Sequence, residues 1–303
     1  MTSGNPKGGK FTTATGQTAA AEMSVIAHRG FAGIHPENTV AAVEASVADE
    51  RTAAIEVDVM PTADGKVVVF HDDTLSRVTN APKPVSETKI WELPYERIAG
   101  YSVLGTTQSV PLLRDVLAAV PAGVDVNIEL KNPGCEELRF AEALDGSALD
   151  ASIDRWREFV GRVLDIAADF GTDLLVSSFY EGALAATRTL DPSVSVASVF
   201  YDSVDTGVAL SRRYDVEAIH VPWNMVATTV QGADSPPVMD SISDAELIER
   251  AHNAGWLINA WTVKTWHQAA ELQRAGVDGL IADYPGICMG HHSPSEFTPS
   301  SPS

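Results

Sequence analysis

The chain has little cysteine and no long apolar run. Its 303 residues include two cysteines, Cys135 and Cys288, which are too few for a disulfide framework and are expected to be free thiols. No run approaches the roughly 20 apolar residues that cross a bilayer, and the polar segment 1–22 lacks the apolar core of a secretory signal. These absences argue against a disulfide-stapled or membrane-inserted protein and predict a cytoplasmic location.

Positive charge is also scarce. The chain has 21 Lys and Arg against 41 Asp and Glu, a formal net charge of −20 at pH 7, and only seven of the cations are lysine. Such a surface repels polyanions, so we expect no nucleic acid partner and no charge-driven docking on anionic membranes. The composition also suits a salt-rich cytoplasm, where repulsion between carboxylates is screened.

What the chain does have is a regular alternation of apolar strand-like runs and helical patterns. The predicted strands are 24–28, 54–59, 66–71, 124–130, 173–178, 194–200, 217–222, 257–263 and 279–283. The predicted helices include 38–50, 111–120, 151–170, 181–190, 244–254 and 266–275. This alternation indicates an α/β protein with a parallel sheet. The folded domain is expected to span 23–290, with a disordered leader (1–22) and a disordered Ser/Pro-rich tail (291–303).

Nine predicted strands are one more than a TIM (β/α)8 barrel needs. Only about eight residues separate the second run from the third, too few for a parallel crossover, and Asp64-Gly65 favours a tight turn. The run 66–71 is therefore predicted to return as a hairpin strand at the mouth of the barrel. The long stretch 74–110 is predicted to be a small insertion that covers part of that mouth.

Carboxylates occupy alternate positions on two predicted strands. Glu56 and Asp58 lie two residues apart and so share one face of their strand, while Glu129 and Lys131 repeat this spacing on another. Charges inside a barrel must pair, bind a metal or lie at the open end. The three carboxylates favour an oxygen cage for a divalent cation, Mg²⁺ or Ca²⁺. The alternative is a salt-bridge cluster with Arg29 and Lys131.

Two histidines, His28 and His71, end apolar runs. Imidazole titrates near neutral pH, so one ring can accept a proton while the other donates one; the alternative is that both bind the metal. Arg29 has a guanidinium fork that suits two phosphate oxygens, and Lys131 adds a second cation. This combination fits a phosphodiester substrate better than a glycoside, for which two carboxylates without cations would suffice.

Other polar and aromatic residues are weaker candidates. Glu37 and Asn38 open the first helix, where they either bind substrate or serve the helix N-terminus as a favourable charge and a cap. Trp261 ends an apolar run and either walls a pocket for the alcohol or packs in the core. His220 ends a strand and is within reach of the mouth, whereas His35 is expected at the surface.

The order of these motifs resembles the glycerophosphodiester phosphodiesterase family. The matching pieces are Ala27-His28-Arg29-Gly30, Pro36-Glu37-Asn38-Thr39, Glu56-Val57-Asp58-Val59, Phe70-His71-Asp72-Asp73, Asn127-Ile128-Glu129-Leu130-Lys131, Ser177-Ser178-Phe179, Asn259-Ala260-Trp261-Thr262-Val263 and Gly276-Val277-Asp278-Gly279. The resemblance covers roughly residues 24–287. It implies a TIM barrel that needs a divalent cation and hydrolyses a small glycerophosphodiester to sn-glycerol 3-phosphate and an alcohol.

The resemblance also implies a role for each matching residue. These roles are metal binding for Glu56, Asp58 and Glu129, acid–base catalysis for His28 and His71, and phosphate binding for Arg29 and Lys131. Lys264 departs from the pattern, because the family often has asparagine at that place. Two other functions stay open: a phospholipase D-like lyase that forms cyclic phosphates from lysophospholipids, and a non-catalytic barrel that only binds a ligand.

Overall fold

The structure, a computed structural model, describes residues 23–136, 138, 143–226 and 244–288. The predicted leader and tail lie outside these residues. The strands are β1 (Ser24–His28), β2 (Thr52–Pro61), β3 (Val67–Val69), β4 (Asp125–Leu130), β5 (Leu174–Ser178), β6 (Ser195–Val199), β7 (Ala218–Pro222), β8 (Leu257–Val263) and β9 (Gly279–Ala282). The helices are α1 (Val40–Val47), α2 (Tyr95–Ile98), α3 (Leu113–Ala118), α4 (Gly146–Ala168), α5 (Glu181–Leu190), α6 (Val204–Arg213), α7 (Trp223–Val226), α8 (Asp244–Ala254) and α9 (Trp266–Ala275). Short 3-10 helices cover Val85–Glu87, Ile90–Glu92 and Pro285–Cys288.

Eight parallel strands close into a barrel. Their order is β1-β9-β8-β7-β6-β5-β4-β2, and β1 pairs with β2 to complete the circle. The ninth strand, β3, runs antiparallel to β2, with Val59 opposite Val69. Both the TIM barrel and the hairpin strand predicted from the sequence are confirmed.

Alternation along β2 separates the main core from the barrel interior. Ile55, Val57 and Val59 are fully buried in the large core cluster between the strands and the surrounding helices. Ala54 has the opposite orientation and packs with residues of β1 and β9 in a small interior cluster. Because side chains alternate along a strand, Glu56 and Asp58 share the interior face with Ala54 and lie nearer the mouth.

The insertion has a core of its own. Leu75, Ile90 and Ile98 are buried together with Val68 and Phe70 of the hairpin, apart from the main core. The neighbouring β3 residues with the opposite orientation belong to the main core instead. The hairpin strand therefore joins the insertion to the barrel and brings the residues after Phe70 to the mouth.

The helices follow the predicted pattern with two kinds of difference. Helix α4 begins at Gly146 rather than at 151, and α2 (Tyr95–Ile98), α6 (Val204–Arg213) and α7 (Trp223–Val226) lie where no helix is predicted from the sequence. Ser203 caps α6 by accepting a hydrogen bond from the Thr206 amide at 3.2 Å, which is a sequence signal for the start of this helix. Among the described residues, no helix is both long enough and apolar enough to span a membrane.

Candidate active site

Three carboxylates converge at the mouth of the barrel. Glu56 and Asp58 lie on β2, and the register of β2 with β4 sets Asp58 beside Glu129. One oxygen from each of the three lies within 4.8 Å of the others. Glu56 and Asp58 are 2% and 1% exposed, so bulk water screens their mutual repulsion poorly.

The electrostatics of this cluster fit a hard cation. Burial and the neighbouring charges of Asp58 and Glu129 raise the pKa of Glu56 well above its usual range, against the attraction of Arg29. A bound cation would counter both effects, because it stabilises the charged form of a buried carboxyl group. The donor set consists of oxygens only, which suits Mg²⁺ or Ca²⁺ better than a thiophilic metal. The acidic triad can therefore bind a divalent cation.

Two cations lie against the same carboxylates. Arg29 donates from Nη1 to Glu37 Oε1 at 2.9 Å, and its Nε lies 3.1 Å from Asp58 Oδ2 as an ion pair without hydrogen-bond geometry. Lys131 Nζ is 2.6 Å from Glu129 Oε1 and 3.6 Å from Asp58 Oδ1. The salt-bridge cluster considered as an alternative is thus present. Even so, the pKa of Glu56 stays raised despite the nearby charge of Arg29.

The turn after β1 carries Arg29 over the neighbouring strand. Arg29, Gly30 and Phe31 all have positive φ, at 50°, 77° and 58°, a conformation in which glycine is the least strained residue. A Cβ at Gly30 would lie 2.8 Å from the Cβ of Ala42 on α1. This bend lets the Arg29 amide donate to Glu56 Oε2 at 3.1 Å.

Each candidate catalytic histidine is held by a carboxylate. His28 Nδ1 lies 2.6 Å from Asp283 Oδ1, and His71 Nδ1 lies 2.6 Å from Asp72 Oδ1. A carboxylate at Nδ1 fixes the ring orientation and favours the tautomer with its proton on that nitrogen. Burial and the adjacent charge of Arg29 lower the pKa of His28, against the opposing effect of Asp283.

Glu37 and Asn38 contact residues that line the mouth. Asn38 is 2% exposed and donates from Nδ2 to Asp58 Oδ2 at 2.9 Å. Glu37 accepts the hydrogen bond from Arg29. The cap of α1 is Thr39, whose hydroxyl accepts from a first-turn amide at 3.2 Å, so Asn38 is free to orient Asp58.

One pocket brings most of the predicted site residues together. Its lining includes eight of them: His28, Arg29, Glu56, Asp58, His71, Glu129, Lys131 and Trp261. Phe179, absent from the sequence-based site, completes the wall: its ring makes edge-to-face contact with Trp261 at 5.8 Å, and Lys131 Nζ lies 5.6 Å from its centroid. Trp261 both lines the pocket and packs against the interior cluster of β1, β2 and β9, so the two roles considered for it are compatible.

A third histidine on the pocket lining is His220 of β7. It is 1% exposed, and burial lowers its pKa to about 3, so the ring is neutral at neutral pH. Its Nε2 lies 3.1 Å from Asn259 Nδ2 on β8. The nitrogen assignment that fits this contact has Nε2 accepting and Nδ1 carrying the proton.

Three charged residues around the pocket were not assigned from the sequence. Asp283 and Asp72 hold the two histidines, and Arg77 contacts Asp72 and Glu37. Asp283 had a usable signal, because it follows an apolar run in the same way as His28 does. Arg77 had none, since it lies in an insertion without hydrophobic periodicity.

The fold and the site together define a barrel enzyme. Its mouth is lined by both acidic and basic side chains, which suits a small charged substrate. A sequence profile of the glycerophosphoryl diester phosphodiesterase family matches residues 28–287. A glycerophosphodiester phosphodiesterase of Bacillus altitudinis is 30% identical over 270 residues, which is 86% of this chain and 94% of the relative. The chain belongs to the glycerophosphodiester phosphodiesterase family, whose members hydrolyse glycerophosphodiesters.

Solved structures have the same fold. A phosphodiesterase of Oleispira antarctica, in complex with the product sn-glycerol-3-phosphate, superposes with a TM-score of 0.68 at 22% identity, covering 86% of this chain and 93% of that one. A glycerophosphodiester phosphodiesterase of Thermotoga maritima superposes with a TM-score of 0.64 at 22% identity, covering 88% of this chain and 97% of that one.

A shorter stretch of sequence is also similar to a lysophospholipase D. The human lysophospholipase D GDPD1 is 36% identical over 115 residues, which is 35% of each chain.

Proposed function

We propose that this enzyme hydrolyses glycerophosphodiesters to sn-glycerol 3-phosphate and an alcohol, with a divalent cation and two histidines. The observation that carries the proposal is one pocket lined by three clustered carboxylates, the imidazoles of His28 and His71, and the cationic side chains of Arg29 and Lys131. The Oleispira phosphodiesterase, a relative in fold, has sn-glycerol-3-phosphate as its product, which supports the same product here.

The metal site is assigned to Glu56, Asp58 and Glu129. Mg²⁺ or Ca²⁺ bound there would neutralise charge on the non-bridging phosphate oxygens as it develops in the transition state. Asn38 supports the site by donating to Asp58. Arg29 and Lys131 bind the phosphate, since both extend over the same carboxylates and carry the positive charge that a phosphodiester requires.

His28 is assigned as the general base and His71 as the general acid. The lowered pKa of His28 keeps its ring neutral at neutral pH, and only a neutral imidazole accepts a proton. With Nδ1 held by Asp283, Nε2 accepts the proton of the attacking water as the water oxygen forms its bond to phosphorus. His71 Nε2 then donates a proton to the leaving alkoxide as its bond to phosphorus breaks, while Asp72 orients the ring through Nδ1.

The alcohol half of the substrate is assigned to the aromatic wall. Trp261 and Phe179 present apolar ring surface to the pocket, and Tyr201 packs against Phe179 with a centroid distance of 5.9 Å. An apolar wall opposite a charged phosphate site orients a substrate that has one charged and one carbon-rich part.

The test is phosphorus NMR of glycerophosphocholine incubated with the purified enzyme. We expect the sn-glycerol 3-phosphate resonance to appear, to be abolished by EDTA, and to return when Mg²⁺ or Ca²⁺ is added in excess. If the final product from glycerophosphocholine or lysophosphatidylcholine is instead a cyclic phosphate, the enzyme is a lyase and not a hydrolase. Absence of turnover with every cation and both substrates would overturn the proposal.

A further inference from the structure

We propose that Arg77, a residue of the insertion, is a positioning residue that fixes both the phosphate-binding arginine and the second catalytic histidine. This inference rests on the proposed function, since it concerns the same pocket. Arg77 is not on the lining of that pocket among the described residues. It acts through two carboxylates, Glu37 and Asp72, each of which touches a residue that is.

Arg77 makes a two-point contact with each carboxylate. Its Nη1 and Nη2 donate to the two oxygens of Glu37 at 2.7 Å each. Its Nε and Nη2 donate to the two oxygens of Asp72, the second at 3.1 Å. A planar guanidinium allows both pairs at once, whereas a lysine ammonium is a point charge that cannot reproduce them.

Each of the two carboxylates also contacts a residue that lines the pocket. Glu37 Oε1 accepts from Arg29 Nη1 at 2.9 Å, and Asp72 Oδ1 lies 2.6 Å from His71 Nδ1. Arg77 therefore completes a continuous chain from Arg29 to His71. Burial alone would raise the pKa of Glu37 and of Asp72, but hydrogen bonds from Arg77 and their other partners lower both. Both carboxylates are thus charged acceptors.

The backbone around Arg77 is anchored in the insertion core. Leu75 and Val78 are 0% and 4% exposed there, and Thr79 closes a turn by donating from its hydroxyl to Leu75 O at 2.8 Å. The side chain of Arg77 is 46% exposed, whereas that of Glu37 is 11% exposed. An exposed ion pair contributes little to stability, so this arrangement is better suited to positioning than to holding the fold together.

The test compares Arg77→Ala, Arg77→Lys and the control Arg97→Ala, an exposed arginine of the same insertion. We expect Arg77→Ala to lower kcat by about 10- to 100-fold, the usual cost of losing a group that orients a site residue, with little change in Tm. Arg77→Lys should recover only part of the loss, and ethylguanidinium should rescue Arg77→Ala. Activity of Arg77→Ala within about twofold of the wild type would overturn the inference, as would an equal loss in Arg97→Ala.

Two further measurements separate positioning from folding and from the proposed function. In an Asp72→Asn background, Arg77→Ala should cost less than it does alone, because only its route through Glu37 to Arg29 is still intact; full additivity would argue against the route to His71. Nitrogen NMR of the His71 ring should show one dominant tautomer in the wild type and a mixture in Arg77→Ala. This measurement does not require turnover. If the wild type is inactive, the proposed function is overturned, but the tautomer of His71 in the two proteins still shows whether Arg77 positions that ring.

Discussion

The two sides of the mouth are built by different means. On the barrel side, Glu56, Asp58 and Glu129 take their places from the register of two paired strands. On the insertion side, His71 and Arg77 lie on irregular backbone, and ion pairs between side chains fix their positions. Strand register is part of the fold itself, whereas an ion-pair chain can be cut without unfolding the barrel.

The two histidines show the same difference. His28 is 14% exposed, and its partner Asp283 directly follows the last barrel strand, 255 positions away in the chain. His71 is 31% exposed and its partner is the next residue, Asp72. The barrel side is therefore expected to be preorganised, and the insertion side to depend on the integrity of a small separate core.

The largest effects are expected from removing either imidazole. His28→Ala and His71→Ala should each fold and lose on the order of 10²–10⁴ in kcat, the usual value of acid–base catalysis. Added imidazole should rescue His71→Ala more than His28→Ala, since His71 is the more exposed ring. The measurement is steady-state turnover with and without imidazole, and His267→Ala, at an exposed helical site, is the control. Near-native turnover in either variant would remove that histidine from the mechanism.

A second expectation concerns the two cores. Leu75→Ala in the insertion core and Leu184→Ala in the main core, where the residues are 0% and 1% exposed, should each cost about 2–5 kcal/mol of stability. Leu75→Ala should also lower kcat under fully folded conditions, because it loosens the backbone next to Arg77, whereas Leu184→Ala should not. Urea unfolding and turnover below the transition give both quantities. Equal kcat in the two variants would mean that the insertion core does not support the site.

The difference between the two sides also explains what the sequence could predict. Period-two alternation of Glu56 and Asp58 with Ile55 and Val57 identifies the inward face of β2, because one face of a barrel strand must be apolar. The same rule identifies the carboxylates of β4, whereas the short connection after β2 and its Asp64-Gly65 turn predict the hairpin strand. On the barrel side, therefore, the same period-two alternation predicts both the strands and the carboxylates of the site.

The insertion side follows no such pattern. Arg77 contacts Glu37 across 40 positions in the chain, and nothing in local spacing indicates that pairing. Asp72 lies beside His71 in the sequence, yet its role depends on side-chain geometry that only the structure shows. Helix α6 is a different case, because the sequence does carry its pattern: Val204, Val208 and Ser211 are buried at helical spacing, and Ser203 caps the helix.

A smaller expected effect sharpens the metal assignment. Glu56→Gln should weaken Mg²⁺ or Ca²⁺ binding by about 10- to 100-fold or more. That range is the usual loss when a residue that hydrogen-bonds to a metal ligand is mutated, and loss of a ligand itself should cost at least as much. In the wild type, the raised pKa of Glu56 means that a proton competes with the cation, so affinity should rise with pH; the variant should lose this dependence. Calorimetric titration measures both, with Glu44→Gln on the exposed face of α1 as control. Unchanged affinity and pH dependence would exclude Glu56 as a ligand.

The smallest effect tests the interior of the barrel. The pKa of His220 is about 3 in the folded protein against 6.5 for an ordinary histidine, so between these values the unfolded chain binds the extra proton and stability falls as pH falls. From pH 7 to pH 5 the wild type should therefore lose about 2 kcal/mol more than His220→Asn. Urea unfolding at the two pH values in EDTA measures this difference, and His252→Asn, at an exposed site, should not reduce it. The same acid sensitivity in wild type and His220→Asn would mean that burial does not lower the pKa of His220, and the neutral ring assigned to it would have to be abandoned.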